Sequence, residues 1–405
     1  MHTVNMNSVC LYNGTVISGY AAMEKCSILT EDGIIREILS NRRFEEKRRE
    51  PGSKVIDING AFIAPGFIDT HIHGIHGIGA DDAVYPEPKP EEEVIEIMIE
   101  FSRLLLKEGV TSFNPTIYPS PGDTMPDAIA KVVSSMGKEK GSRIMGLHLE
   151  GPFISPDMLG VQRPETIRPV DLEYMEKLWN ASKGNIINMT VAPELKNMRE
   201  LALYCTGKGI ILQAGHTNAT YENMVEGMQA GIFHSTHMFN AMSKLNQRNP
   251  NAVGAILTNP EMSFEIIADG VHVHPVLFKL LAQNTPSDRI VMITDSLKCS
   301  NQETGPFYAN GEEMITGGGV CRRKKDDVIG GSEITMIKGL RNLVKFGFPL
   351  ENAVKAASSN PAAIMRYAKK GSIAPGMDAD LTVFDKDFTV LATIVGGELR
   401  YSIIS

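Results

Sequence analysis

Six side chains capable of binding a metal or moving a proton stand at the ends of short apolar runs: His71, His73, Glu150, His216, His237 and Asp295. Imidazole and carboxylate donors without thiolate suit zinc first, with iron(II) or manganese as alternatives, and a catalytic site of this kind keeps one position open for water. His71 and His73 are two residues apart, so on an extended strand they point to the same face and can share an ion. Glu150 lies in Gly146-Leu-His-Leu-Glu-Gly-Pro152, where Gly-Pro ends the strand directly after it. A carboxylate buried there without a cation would be costly, and with one it could hold a single metal or bridge two. Asp295, in Ile293-Thr-Asp-Ser296, is the candidate general base as well as a candidate ligand. A bound metal lowers the pKa of water from about 15.7 towards about 7, so an adjacent aspartate need only orient the nucleophile, take its proton and pass it to the leaving group. By strand alternation His234, three residues before His237, should face away from the site as a packed or bridging histidine.

Those side chains meet only if the chain between them places the run ends together. Strand-like runs occupy Phe62 to His73, Val110 to Thr116, Arg143 to Glu150, Ile186 to Glu194, Ile210 to Thr217, Phe233 to Asn240, Ser263 to Gly270 and Arg289 to Ser296. Helical stretches separate most of them. Glu91 to Lys107 has apolar residues at helical spacing, a Pro before its start and Gly109 after its end. Eight parallel strands with helical crossovers predict a closed (β/α)8 TIM-like barrel, in which all strand C-termini converge on the face where active sites are built. The two chain ends have a different texture. Ser8 to Leu11, Cys26 to Thr30 and Lys54 to Ile58 near the start, and Asp380 to Phe384 and Phe388 to Val395 near the end, are short β-type runs broken by polar residues. They predict one small β-sandwich module from residues 1–59 and 372–405, flanking a hydrolase barrel over 60–371.

Composition narrows the function classes. The 405 residues are 42% hydrophobic and 22% charged, ordinary values for a globular chain with a large core. A formal charge of -8 and the lack of a long basic run argue against nucleic acid or an anionic membrane as partner. The short clusters Arg42-Arg43, Lys47-Arg48-Arg49 and Arg322 to Lys325 read as solvated turns. No signal-like start and no span of about 20 apolar residues is present, which predicts a soluble cytoplasmic protein. Cys10, Cys26, Cys205, Cys299 and Cys321 are odd in number and widely spaced, which predicts neither a disulfide framework nor a thiolate zinc site.

The motifs resemble the N-acetylglucosamine-6-phosphate deacetylases of the amidohydrolase superfamily over nearly the whole chain. Pro65-Gly-Phe-Ile-Asp-Thr-His-Ile-His-Gly74 is common to the superfamily. Gly146-Leu-His-Leu-Glu-Gly-Pro-Phe153 and Thr236-His-Met-Phe-Asn-Ala-Met242 are more specific, joined by Ala214-Gly-His-Thr-Asn-Ala219, Ala268-Asp-Gly-Val-His-Val-His274 and Ile293-Thr-Asp295. The resemblance implies hydrolysis of the N-acetyl amide of N-acetylglucosamine 6-phosphate, with one or two divalent metals per subunit. It implies Glu150, His216 and His237 around the principal metal, His71 and His73 completing a second site, and Asp295 as catalytic acid/base. His272 would polarise the carbonyl or contact the sugar, and Val161, Gln162, Asn240, Ala241, Ile329, Gly330 and Gly331 would contact substrate. Arg248, in Asn246-Gln-Arg-Asn249, would bind the phosphate, and in a homodimer it can come from the neighbouring subunit. Two other readings stay open: a deacetylase of a related N-acetylhexosamine or N-acyl amino acid, and a catalytically silent scaffold. A cyclic amidase is disfavoured because the fourth run, Ile186 to Glu194, ends without the lysine such enzymes use as bridging ligand.

Overall fold

The computed structural model describes residues 9–19, 21–47, 54–302 and 306–404. Ser8 of the first β run and Arg48 and Arg49 of the second basic cluster lie outside the described residues. All eight central runs form strands: β1 (Phe67–Ile72), β2 (Val110–Ile117), β3 (Leu147–Glu150), β4 (Ile186–Val191), β5 (Ile211–Ala214), β6 (His234–Ser235), β7 (Phe264–Ile267) and β8 (Ile290–Ile293). Arg143–Ile144 is a separate two-residue strand that also pairs with β2. Parallel ladders run continuously from β1 through β6, and a separate ladder joins β7 to β8. Individual hydrogen bonds close the two seams. Ser263 N donates to Phe233 O at 3.0 Å and Met238 N to Glu265 O at 2.8 Å on one side, and Asp295 N donates to His71 O at 2.9 Å on the other.

Every residue of β2 is buried, as expected of a parallel strand covered on both faces. Outside it, the helix Glu91–Leu106 buries Val94, Met98, Phe101 and Leu105 at helical spacing; Pro90 precedes it and three glutamates fill its first turn. Those acids favour the positive end of the helix dipole. The interior of the barrel is polar by contrast. Asn114 donates to Asn188 at 2.9 Å, Thr190 and Thr236 share a 2.8 Å bond, and Tyr367 closes the floor with a 2.7 Å bond from its hydroxyl to Asn114 Oδ1. Each of these buried groups is satisfied, which is the condition for tolerating polarity there.

The chain ends share one eight-stranded sheet. Its order is Glu398–Ser402, Val390–Val395, Leu381–Phe384, Phe62–Pro65, Val9–Ile17, Ala22–Glu31 and Ile34–Ser40, with Lys54–Asp57 also paired to Val9–Ile17. Leu11, Val16, Ile28, Ile63, Leu381, Val383 and Ile394 form its own apolar cluster. A second, four-stranded antiparallel sheet follows the barrel: Pro306–Ala309, Glu312–Gly317, Val320–Arg323 and Ile329–Ser332. Its last strand carries Ile329, Gly330 and Gly331.

One expectation is corrected here. Cys299 and Cys321 are joined in a disulfide, whereas Cys10, Cys26 and Cys205 are free. The partners lie 22 residues apart in sequence. Only the folding back of the antiparallel sheet over the segment after β8 brings them together, which spacing alone does not reveal.

Residues 1–59 and 372–405 are, in our proposal, one folding module. Leu381–Phe384 pairs with Phe62–Pro65 over four residue pairs, so deleting residues 378–405 bares the strand that leads into β1. The shortened chain should lose its cooperative thermal transition and accumulate as aggregate. A monodisperse product with a sharp melt would refute the single-module view.

Candidate metal centre and active site

Four imidazoles surround the Glu150 carboxylate, the last residue of β3. The Nε2 atoms of His216 and His237 lie 3.1 Å from Oε1, His71 Nε2 lies 3.6 Å from the same oxygen, and His73 Nε2 lies 3.5 Å from Oε2. Asp295 Oδ1 is 3.4 Å from His71 Nε2 and 3.3 Å from His73 Nε2. All six candidates are buried. His71 Nε2, both ring nitrogens of His73 and His237 Nδ1 have no hydrogen-bond partner. Orphaned donors and acceptors at this depth are rare unless an ion or water answers them. Two overlapping groups, His71/His73/Glu150 and Glu150/His216/His237, have ligand atoms within 4.8 Å of one another and could each hold a metal. The donor set, nitrogen and carboxylate oxygen from separate elements, fits a divalent cation.

Backbone conformation aims these side chains. His216, His237 and Asp295 each stand two residues beyond the end of a strand, with φ of 45°, 21° and 47°. Left-handed backbone at a residue with a side chain costs of order 1–3 kcal/mol and persists where surrounding contacts hold it. Ser155 N donates to His216 O at 2.8 Å, and Ser332 N donates to Asp295 O at 2.9 Å. Gly331, at φ 146°, lets the backbone approach; a Cβ there would lie 3.0 Å from Asp295 O. The turn at His237 also corrects the parity argument for His234. His234 is buried with Nε2 3.9 Å from Glu265 Oε1, on the same interior side as Thr236, and not towards the helices. Alternation applies only as far as Ser235, where the strand ends.

The electrostatics are those of a cation site. Burial would raise the Glu150 carboxyl, but the bonds from His216 and His237 and nearby imidazole charge hold it well below the usual range. Asp295 is likewise lowered: burial opposes ionisation, and the charge of His71 and the His73 imidazole beside it outweigh it. The His71 imidazole is raised to about 10 despite its burial, by Asp295, Glu265 and Glu150. Three anions thus converge where positive charge is demanded. Around them, His216 Nδ1 donates to Met158 O at 2.9 Å, and His71 Nδ1 lies 3.1 Å from Glu265 Oε2. Tyr118 stacks on His73 with ring centroids 3.9 Å apart. Sequence reading missed Glu265 and Tyr118; a glutamate in the middle of the apolar run Ser263 to Ala268 was the available signal for the first.

A cleft of about 300 Å³ opens over this cluster. Val161 and Gln162 line it, as do Asn240, Ala241 and His272, and Ile329, Gly330 and Gly331 form part of its wall. Gln162 also donates to Glu150 Oε2 at 2.7 Å, so it braces the carboxylate as well as lining the cleft. His272 is oriented by Asp269, whose Oδ2 lies 2.5 Å from its Nδ1. Arg248 is not brought to the site. It is exposed on a loop, with its backbone N bonded to Asn246 Oδ1, and it does not line the cleft. No Lys or Arg among the described residues lines it.

Residues 62–400 match the amidohydrolase family model. The chain is 33% identical over 364 residues to the N-acetylglucosamine-6-phosphate deacetylase of Bacillus subtilis (strain 168), covering 88% of this chain and 89% of that protein. The chain belongs to the amidohydrolase family, in its N-acetylglucosamine-6-phosphate deacetylase branch. The human protein of that name is 30% identical over 394 residues, covering 92% of this chain and 94% of its own. The crystal structure of the Pasteurella multocida deacetylase superposes with a TM-score of 0.87 at 29% identity, covering 97% of this chain and 99% of the other. A Mycobacterium smegmatis mutant enzyme solved in complex with N-acetyl-D-glucosamine-6-phosphate gives 0.86 at 25% identity, covering 98% and 100%. Members of the amidohydrolase family generally depend on divalent metal, in keeping with the His/Glu groups of this chain.

Replacing the shared carboxylate tests the centre directly. Glu150→Ala should abolish stoichiometric divalent metal in the purified protein, since both groups lose their common oxygen donor. Full occupancy in the variant, measured by elemental analysis, would remove Glu150 from the ligand set.

Proposed function

We propose that this chain hydrolyses the N-acetyl amide of N-acetylglucosamine 6-phosphate to glucosamine 6-phosphate and acetate. The observation that carries the reading is the convergence of Glu150, His216 and His237 with Asp295 beneath one cleft, in a chain of this family. In our reading Glu150, His216 and His237 hold the principal metal, zinc by the nitrogen-rich donor set, and His71 and His73 with Glu150 complete a second position. When bound, a divalent ion there supplies an activated water and a Lewis acid for the amide carbonyl.

The chain's own groups do the rest. Asp295, held ionised in its buried position, accepts the proton of the attacking water at a carboxylate oxygen. It returns that proton to the amine nitrogen as the carbon–nitrogen bond breaks. The capping role that an aspartate could play at this point is not taken, because Leu297 N donates instead to Ser332 O. His272, fixed through Nδ1 by Asp269, presents its other nitrogen to the cleft, where the neutral ring can accept from a sugar hydroxyl and the imidazolium paired with Asp269 can donate to the carbonyl. Asn240, Ala241, Val161, Gln162 and the wall of Ile329 to Gly331 enclose the sugar and exclude bulk water.

Among the described residues the cleft has no Lys or Arg to meet a 6-phosphate, and Arg248 is too exposed to serve within its own subunit. We therefore assign that role to Arg248 of a second subunit in a homodimer. No helix among the described residues is long and apolar enough to cross a membrane. We place the reaction in the cytoplasm, where charged sugar phosphates are retained; the Cys299–Cys321 bridge is the one feature that weighs the other way.

Asp295→Asn keeps size but cannot accept the proton, so kcat for acetate release should fall at least roughly a hundredfold with substrate still bound. Near-normal turnover would transfer the role to another group, His272 first. Arg248→Ala should raise KM for the 6-phosphate substrate roughly ten- to a hundredfold, the loss of a charge-assisted contact, and leave N-acetylglucosamine hydrolysis unchanged. Equal effects on both substrates, in steady-state kinetics, would dissociate Arg248 from the phosphate.

A further inference from the structure

Glu265 stands in the middle of β7 and is fully buried, yet no part of the reaction described above uses it. Its two oxygens have different neighbours. Oε2 lies 3.1 Å from His71 Nδ1 and accepts from the backbone N of His237 at 3.3 Å. Oε1 has only Thr70 Oγ1 at 3.5 Å and His234 Nε2 at 3.9 Å. His234 Nδ1 is taken up by the Ser263 hydroxyl at 2.8 Å, and its Nε2 makes no hydrogen bond, so it gives Glu265 none.

The strong partners of this buried anion are therefore both on the metal side. One is the ring of His71, in the His71/His73/Glu150 group; the other is the strained backbone of His237, in the Glu150/His216/His237 group. A ring N–H held by a carboxylate fixes the tautomer of a ligating histidine, turns the other nitrogen to the metal and makes it a better donor. A backbone N–H held by the same oxygen stabilises the left-handed turn that swings His237 inward. We propose that Glu265, through the single oxygen Oε2, is the positioning residue that sets the metal-facing nitrogens of both groups at once.

This deepens the metal-ligand reading above and rests on it. Two substitutions separate charge from reach. In Glu265→Gln the amide oxygen can replace Oε2 while its NH2 takes the place of Oε1 beside Thr70 and His234, so the shape and both bonds survive without the charge. In Glu265→Asp the charge survives but the side chain retracts from both partners.

Zinc affinity is measured on each full-length protein by competition with a chromophoric chelator, and melting is followed separately after chelation. Glu265→Gln should bind zinc ten- to a hundredfold more weakly at the His71 group, with the chelated protein melting no lower than the parent. Glu265→Asp should weaken both groups. A merely structural role would lower the melting point of the chelated protein and leave the zinc affinity of the folded variant at the parental value, and that result would overturn the proposal.

Should neither variant fold, the unaltered zinc-loaded protein decides by histidine-selective 15N NMR. His71 must be metal-bound through Nε2 with a proton on Nδ1; binding through Nδ1 refutes the proposal. Loss of zinc in Glu150→Ala together with parental zinc binding in both Glu265 variants would sink this inference alone. Retention of zinc in Glu150→Ala would sink the ligand reading with it.

Discussion

An ionised carboxylate cannot be left alone inside a protein, and the centre of this one is organised around that fact. Glu150 is buried at the end of a barrel strand with imidazoles on every side. Taking such a group out of water costs several kcal/mol unless opposite charge compensates it. Each of the elements described contributes to that compensation. β1 brings His71 and, just beyond its end, His73; the segments beyond β5 and β6 bring His216 and His237, and Gln162 donates from the loop that follows β3. The closed barrel is what brings donors from such distant parts of the chain within a few ångströms, because its strands are parallel and end on one face.

The same requirement explains the strain around the site. A regular strand end would leave His216, His237 and Asp295 pointing wherever alternation dictates. Left-handed residues at these positions turn the side chains inward, and hydrogen bonds from neighbouring segments hold the turns. The four-stranded sheet beyond the barrel takes part, since Ser332 bonds to the Asp295 carbonyl while Ile329 to Gly331 line the cleft. The cleft wall and the turn that aims Asp295 are thus built from one contact.

Much of this was legible in the sequence because it depends on local patterns. Apolar runs marked the eight strands, and His71, Glu150, His216, His237 and Asp295 were conspicuous as polar residues at or just beyond their ends. What was not legible depends on three-dimensional return. His234 was misassigned because the period-two rule was carried past Ser235, where the backbone had already turned. Glu265 was hidden inside an apolar run, and its value lies in contacts with β1 and the segment after β6. Cys299 and Cys321 meet only once the antiparallel sheet folds over the barrel mouth. Arg248 shows the limit from the other direction: its motif was clear, but its own subunit does not bring it to the cleft.

The sheet that joins both chain ends bears on how the protein is made. Phe62–Pro65, which leads directly into the first barrel strand, takes Val9–Ile17 on one side and Leu381–Phe384 on the other. During synthesis the first partner emerges before it, whereas the second emerges only after all eight barrel strands. Until then the strand presents an open edge of the kind that pairs with other chains. The barrel can assemble progressively as its strand-helix units emerge, but the sheet beside it is completed afterwards, so an open sheet edge accompanies the nascent chain throughout synthesis of the barrel.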